Sequence, residues 1–223
     1  MDGLPEALPG DRGDTHDAGL IRTDAHHARL RSAVLDISTT LMTAEPDEFE
    51  TKLRWSLSSV GEQIGADRGY IFRLEDDAFT LTTEWTADGI DPREIRRLDP
   101  DEHAWLFGRL EGFENVAVAD PTDLPSGAAT REFLGADGVR SAVLLPMVDS
   151  WSLVGVVGFE VAEAPHQWPA SEVDVLRTAA DIVAHSQARV RREQTLAEQN
   201  ERLEAFASVI SHDLRNPLNV VSG

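Results

Sequence analysis

The sequence predicts an α+β fold, an antiparallel sheet with helices packed mainly on one face, continued by a long coiled-coil helix. Apolar residues recur at helical spacing between residues 25 and 64. The pattern changes to strand-like runs in two stretches, 70–85 and 139–161, each divided by a turn signal. No proline then interrupts Ser171–Asn216, where apolar residues recur seven apart.

Residues 1–24 are rich in Gly, Pro and Asp and lack apolar periodicity, which predicts a mobile acidic segment. A helix is predicted from near Ala25, with Leu30, Val34, Ile37 and Leu41 on one stripe and Pro46 as its breaker. A second helix carries Phe49, Leu53, Leu57, Val60 and Ile64, with Gly65 at its end. Tyr70–Phe72 and Phe79–Trp85 read as strands around the turn Glu75-Asp76-Asp77. Residues 87–115 are irregular, with a short helix around His103–Leu110. A short strand covers Val116–Ala119 and stops at Asp120-Pro121; a short helix covers Ala128–Leu134. Val139–Val148 and Trp151–Val161 form a hairpin turning at Asp149-Ser150. Gly155 and Gly158 inside its second strand predict close backbone approach or a bulge.

The long helix is expected to start at Pro169-Ala170-Ser171, with Ser171 as its cap and Asp174 near the first-turn amides. Leu176, Val183 and Val190 are seven apart; Leu196, Leu203 and Ile210 form a second such set, offset by one residue, with Gln199 and Phe206 between them. This reads as a coiled coil with a phase slip between its halves.

Composition excludes several classes. With no cysteine, disulfides, thiolate metal sites, cysteine nucleophiles and thioether-linked chromophores are ruled out. No apolar run approaches the roughly 20 residues that span a bilayer, and Met1–Gly10 shows no signal pattern, so a cytoplasmic location is expected. The formal charge is −20, with Lys52 the only lysine. Such a surface repels nucleic acid and anionic lipid. The acids are dispersed rather than blocked, which fits adaptation to a salty interior better than a docking patch for a basic partner. His26 and His27 are adjacent, and His16, His103, His166 and His185 are scattered, so no metal-ligand spacing emerges and no metal is expected.

Residues 25–187 resemble a GAF domain. The likeness is carried by Ala66-Asp67-Arg68-Gly69-Tyr70-Ile71, Val118-Ala119-Asp120, Gly138-Val139-Arg140-Ser141, Leu145-Pro146, Leu153–Gly158 and the Trp168–Ile182 run. It implies a regulatory module that holds a small ligand between the sheet and its covering loops. The pocket would lie against the Val139–Val161 hairpin, with Trp105, Phe107, Phe113 and Phe133 as apolar wall residues; plain core packing is the competing reading for each. Without cysteine the chain cannot hold a bilin covalently, and it lacks the Asn-Lys-Phe-Asp-Glu signature of cyclic-nucleotide-binding members.

Phe206 and Ser211-His212-Asp213-Leu214-Arg215-Asn216-Pro217-Leu218 resemble the phospho-accepting H-box of the HisKA family of sensor histidine kinases. A neutral imidazole on a rigid helix is a good phosphoryl acceptor, and a neighbouring carboxylate can take its proton. The resemblance implies that His212 is phosphorylated, that Asp213 is the general base, and that Asn216 holds the water used to dephosphorylate a response regulator. It also implies a homodimer through the C-terminal helix, with Phe206, Val209 and Ile210 facing the core. Residues 188–205 are then a coiled-coil signalling helix and 206–223 a HisKA helix truncated before its ATP-binding domain. ATP with Mg would act only through that absent domain, so the chain by itself is expected neither to bind ATP nor to phosphorylate itself. The acidic composition resembles that of haloarchaeal proteins. The alternative is a non-enzymatic ligand-binding or dimerisation module with an inert H-box remnant.

Overall fold

In a computed structural model the described residues are 14–125, 129–162 and 165–218, with side chains described over 25–207 of these, apart from residue 137. Two helices, α1 (Asp14–Met42) and α2 (Phe49–Ile64), precede the strands β1 (Arg68–Glu75) and β2 (Ala78–Thr86). Then come β3 (Arg97–Leu98), α3 (Ala104–Glu111), β4 (Val116–Val118) and α4 (Ala129–Gly135). The hairpin β5 (Ser141–Asp149) and β6 (Ser152–Val161) leads into α5 (Ala170–Leu218), a helix of 49 residues.

The six strands form one sheet in the order β3-β2-β1-β6-β5-β4. Every neighbouring pair is antiparallel. Alternation of side chains along the strands divides the core between two faces. Ile71, Val143, Leu145, Met147, Val157 and Phe159 face α1, α2 and α5. Tyr70, Phe72, Ala142, Leu144 and Val156 face α3, β4 and α4. The predicted stripes of α1 and α2, from Leu30 to Leu41 and from Phe49 to Ile64, are all buried on the first face. Each fully buried Leu or Ile there contributes about 1.5–3 kcal/mol.

Local chemistry sets the ends. Gly65 closes α2 at φ 67°, a left-handed conformation natural to glycine. The hairpin turns place Asp76 and Asp77 at φ 48° and 61°, and Ser150 and Trp151 at 51° and 65°, the twist that two-residue hairpin loops require. The Asp120 carboxylate accepts from the backbone N–H of Thr122 at 2.8 Å and from its hydroxyl at 2.7 Å. The Thr122 backbone bond foremost lowers the Asp120 pKa below the ordinary carboxylate value.

Four expectations need correction. The first helix begins at Asp14, not near Ala25: the backbone is already helical through a segment that lacks apolar periodicity, the signal on which the expected start rested. The two-residue strand β3 inside the irregular stretch was not foreseen; it pairs only through Phe79–Leu98 and Thr80–Arg97. Ser171 is not the cap of α5. The Pro169 carbonyl accepts from the N–H groups of Glu172 and Val173, and the Ser171 hydroxyl lies 3.1 Å from His27 Nε2 instead. The two heptad sets of α5 are not one seam with a slip. Leu176, Val183 and Val190 are buried against the domain, while Leu196 and Leu203 are exposed beyond it. The one-residue offset, a rotation of about 100°, separates an inward face from an outward one.

Candidate functional site

The face of the sheet expected to hold a ligand is built around a buried ionic cluster. Register pairs Arg68 on β1 with Glu160 on β6, and Tyr70 with Gly158. Gly158 has no side chain, so the Tyr70 ring lies over it and its hydroxyl donates to Glu160 Oε1 at 2.9 Å. Arg68 donates to Glu160 Oε2 at 2.8 Å and to the Asp91 carbonyl at 2.7 Å. Arg93, from the segment between β2 and β3, completes the set. Its Nη1 donates to Glu160 Oε1 and its Nη2 to the Phe133 carbonyl on α4. The guanidinium stacks 4.0 Å from the Phe133 ring centre and 5.3 Å from that of Tyr70.

Arg68, Arg93, Tyr70 and Glu160 are all buried. One carboxylate therefore serves two guanidinium groups and a phenol, with Glu84 3.9 Å from Arg68 Nε as a more distant second acid. Burial foremost, and the Glu160 charge next, hold the Tyr70 pKa well above 10.0, so the phenol stays a donor. The covering segment is strapped down at Asp91, at Arg93, and at the Arg93 backbone N–H, which donates to Glu84 Oε1 at 2.8 Å.

The four aromatic residues proposed as pocket walls separate. Phe107 and Phe133 are buried in the core of this face, Phe107 stacked 4.3 Å from Phe79. Phe113 is exposed at the turn between α3 and β4, at φ 60°. Trp105, on α3 and half-buried against the same core, lines a cavity of about 380 Å³ that runs beside β4, the end strand of the sheet. Arg109, Asn115, Ala117, Asp123 and Leu124 share this cavity. Arg109 stacks on Trp105 with its Cζ 4.8 Å from the ring centre. The Asn115 Oδ1 is buried without a hydrogen-bond partner. The arrangement offers an aromatic wall, a guanidinium and an open amide acceptor to a small polar-edged molecule.

His103 precedes α3 and is buried against the edge of the Phe133 ring, with Nδ1 3.4 Å from the Thr130 hydroxyl. Burial lowers its pKa below 6.5 and favours the neutral ring. Among the described residues no group of three or more His, Cys, Asp or Glu is arranged to hold a metal ion, and no helix is long and apolar enough to cross a membrane.

Sequence reasoning missed Arg93, which sits in the irregular stretch and meets Glu160 and Phe133 only through the fold. A weaker signal was present: Arg68 and Glu160 are charges embedded in otherwise apolar strand patterns. The backbone of α5 is helical through Leu218 and carries His212, Asp213 and Asn216; their side chains lie outside the described residues.

A six-stranded antiparallel sheet with three long helices on one face, the last of them the exit helix, and two short ones on the other defines an α+β module of the GAF type. Residues 48–186 match the GAF domain, and the chain belongs to that family. Solved structures of similar fold include the phycoerythrobilin-bound GAF domain of a cyanobacterial phytochrome. It is 17% identical with a TM-score of 0.63, and the match covers 74% of this chain and 97% of that one. The GAF domain of a phosphoenolpyruvate-protein phosphotransferase from Coxiella burnetii is 18% identical, TM-score 0.60, covering 76% and 98%. The free methionine-R-sulfoxide reductase of Neisseria meningitidis, in complex with its substrate, is 17% identical, TM-score 0.59, covering 75% and 93%. At these identities the likeness is one of fold. Among curated proteins, the chain is similar to the methanogenesis regulatory histidine kinase FilI of Methanothrix harundinacea (strain 6Ac), 27% identical over 189 residues. That match covers 75% of this chain and 21% of the kinase, so the chain spans about a fifth of its relative's length. A GAF domain with a histidine kinase among its relatives supports a sensory role in signal transduction.

Proposed function

We propose that this chain is the sensory and phospho-acceptor portion of a cytoplasmic two-component sensor histidine kinase. The observation that carries the reading is the continuity of α5. The helix is packed into the domain at Leu176, Val183 and Val190 and runs unbroken to the backbone of His212. The FilI similarity supports the same reading. On it, residues 25–187 sense, 188–205 transmit and 206–223 accept the phosphoryl group.

In the acceptor step a ring nitrogen of His212 attacks the γ-phosphorus of ATP held by a separate catalytic domain. A P–N bond forms, the P–O bond to ADP breaks, and Asp213 takes the imidazole proton. The phosphoryl group then passes to a response regulator, and Asn216 orients water for the regulator's dephosphorylation. The signal is a small molecule bound in the Trp105 cavity, which the Trp105–Arg109 stack and the unpartnered Asn115 Oδ1 support. Two copies pair through the C-terminal helix, because Leu196, Leu203 and Phe206 are otherwise exposed on a helix that has left its domain.

The test supplies the catalytic domain of a related histidine kinase in trans with labelled ATP. Acid-labile label on the wild-type chain and none on His212→Gln is the expected result. Equal label on both, or none on either, overturns the reading and leaves an inert H-box on a binding module.

A further inference from the structure

Helix α5 leaves the domain just after Val190, which is buried; Arg191 is half-buried and residues 192–207 are all exposed. At this root a small cavity of about 100 Å³ lies between three elements. Phe49 and Glu50 come from the start of α2, Arg73 from β1, and Gln187, Val190 and Arg191 from α5. Its polar lining is unsatisfied. Gln187 is only 6% exposed, and its Oε1 is buried with no hydrogen-bond partner. Arg73 Nε is likewise buried without a partner, and Arg73 Nη1 stands 3.5 Å from the exposed Glu75. Arg191 donates from Nε to the Gln187 carbonyl at 3.3 Å, while its terminal nitrogens have no partner among the described residues.

The cavity lining sets two guanidinium groups against one carboxylate. That carboxylate, Glu50, is exposed and accepts from the Thr83 hydroxyl at 3.1 Å. The two arginines oppose each other: burial foremost, and the Arg73 charge next, lower the Arg191 pKa below the ordinary guanidinium value, and Asp149 and Glu75 offset part of this. Buried polar atoms of native proteins are paired, and an exception points to a bound water or ion. One water takes up roughly 30 Å³ and brings no charge to hold two guanidinium groups together. Pockets for drug-sized molecules begin at roughly 300 Å³. The size and charge between these limits suit one small oxyanion, whose paired oxygens match guanidinium forks. Gln187 Oε1 narrows the choice, because it accepts and so needs an O–H. A hydrogen phosphate ion offers oxygens to both arginines and a proton to Gln187. Sulfate, fully ionised at neutral pH, offers only the oxygens.

We propose that a free hydrogen phosphate ion binds at the root of α5, held by Arg73 and Arg191 and donating to Gln187 Oε1. The bound ion ties β1 to the last packed turn of α5, beside the start of α2. Without it, the two like charges push the root of the rod away from the sheet. Phosphate binding does not depend on the acceptor role of His212; only its consequence for signalling rests on α5 as a signalling rod.

The test is isothermal titration calorimetry of the full chain at neutral pH and fixed ionic strength, with inorganic phosphate, sulfate and phosphoserine. One phosphate per chain is expected, with sulfate at least tenfold weaker. Phosphoserine, a monoester whose second pKa is near 6 and which has mostly lost its O–H, is expected to be weaker too. Arg73→Gln and Arg191→Gln are each expected to weaken phosphate at least tenfold, with circular dichroism confirming that each is folded. Gln187→Met keeps the length of the side chain, removes the acceptor and is expected to abolish the preference for phosphate over sulfate. His212→Gln is expected to bind phosphate as wild type does, so that failure of this site and failure of the acceptor reading are told apart. The wild-type comparison decides without any variant: no phosphate bound, or phosphate bound no tighter than sulfate or phosphoserine, overturns the proposal. Phosphate affinity unchanged in both arginine variants places the ion elsewhere and also overturns it.

Discussion

The Tyr70 ring lies so close over Gly158 that a β-carbon on the glycine would stand 2.1 Å from ring carbon Cε2. The two residues are register partners on β1 and β6, and the contact aims the phenol at Glu160, two residues along the same face. Gly158→Ala must displace the ring and break the Tyr70–Glu160 hydrogen bond. Overpacking contributes about 1–3 kcal/mol and the buried bond about 1–3 kcal/mol more. Urea unfolding is expected to show a loss of about 2–6 kcal/mol, with the denaturant slope little changed.

Glu160 and Arg93 are not equivalent members of their cluster. Removing the Glu160 charge leaves two buried guanidinium groups facing each other, whereas removing Arg93 leaves Glu160 held by Arg68 and Tyr70. Glu160→Gln is therefore expected to destabilise by about 3–5 kcal/mol, and Arg93→Met by less. Denaturant unfolding of the two variants gives the comparison directly, and Arg93→Met is also expected to raise hydrogen exchange in 87–96, the segment that Arg93 straps to the sheet.

Two buried rings set opposite limits with pH. The Tyr70 pKa is raised above 10.0, so its contribution is complete below that pH and is lost as pH rises through the folded-state value. Tyr70 is the chain's single tyrosine, so near-ultraviolet absorbance follows its ionisation without interference. Tyrosinate is expected to appear above the ordinary value and together with loss of the fold. The His103 pKa is lowered below 6.5, so its contribution is complete above 6.5 and falls as pH drops through the lowered value. His103→Gln is expected to flatten the acid side of the stability profile, measured by thermal unfolding across pH.

The hairpins, the α2 stripe and the inward face of α5 were legible because each follows from local periodicity or turn chemistry. Asp76-Asp77 and Gly65 mark turns that any reading of the chain finds. What was not legible depends on the third dimension. Arg93 finds Glu160 across 67 positions and Phe133 across 40, with no local pattern to announce either. The two registers of α5 looked like one slipped seam because sequence spacing does not say where the domain ends. The Trp105 cavity is half legible: Trp105 stood out as an aromatic, but Asn115 matters only because β4 ends the sheet beside it.

Arg189 donates to the Leu41 carbonyl in the last turn of α1 and to the Ala44 carbonyl just beyond it, and also pairs with Glu193 at 2.8 Å, so it joins the end of one helix to the middle of another. Carbonyls at a helix C-terminus have no following turn to accept from, and a side-chain donor satisfies them. Arg189→Met keeps the aliphatic stem and removes the donors. It is expected to destabilise by about 1–2 kcal/mol, and to raise hydrogen exchange at the C-terminal turn of α1 more than in α2.

The central claim is that one unbroken helix joins the sensor core to His212. The chain has no cysteine, so labels can be placed at will. Spin labels on cysteines substituted at Thr178 and Ser211, in chains diluted with unlabelled protein, report the distance between them by pulsed electron resonance. A continuous helix predicts a single narrow distribution near 50 Å, from the rise of about 1.5 Å per residue. A broad distribution, or one centred well below that length, would contradict the account, because the rod would then be broken before it reached the acceptor.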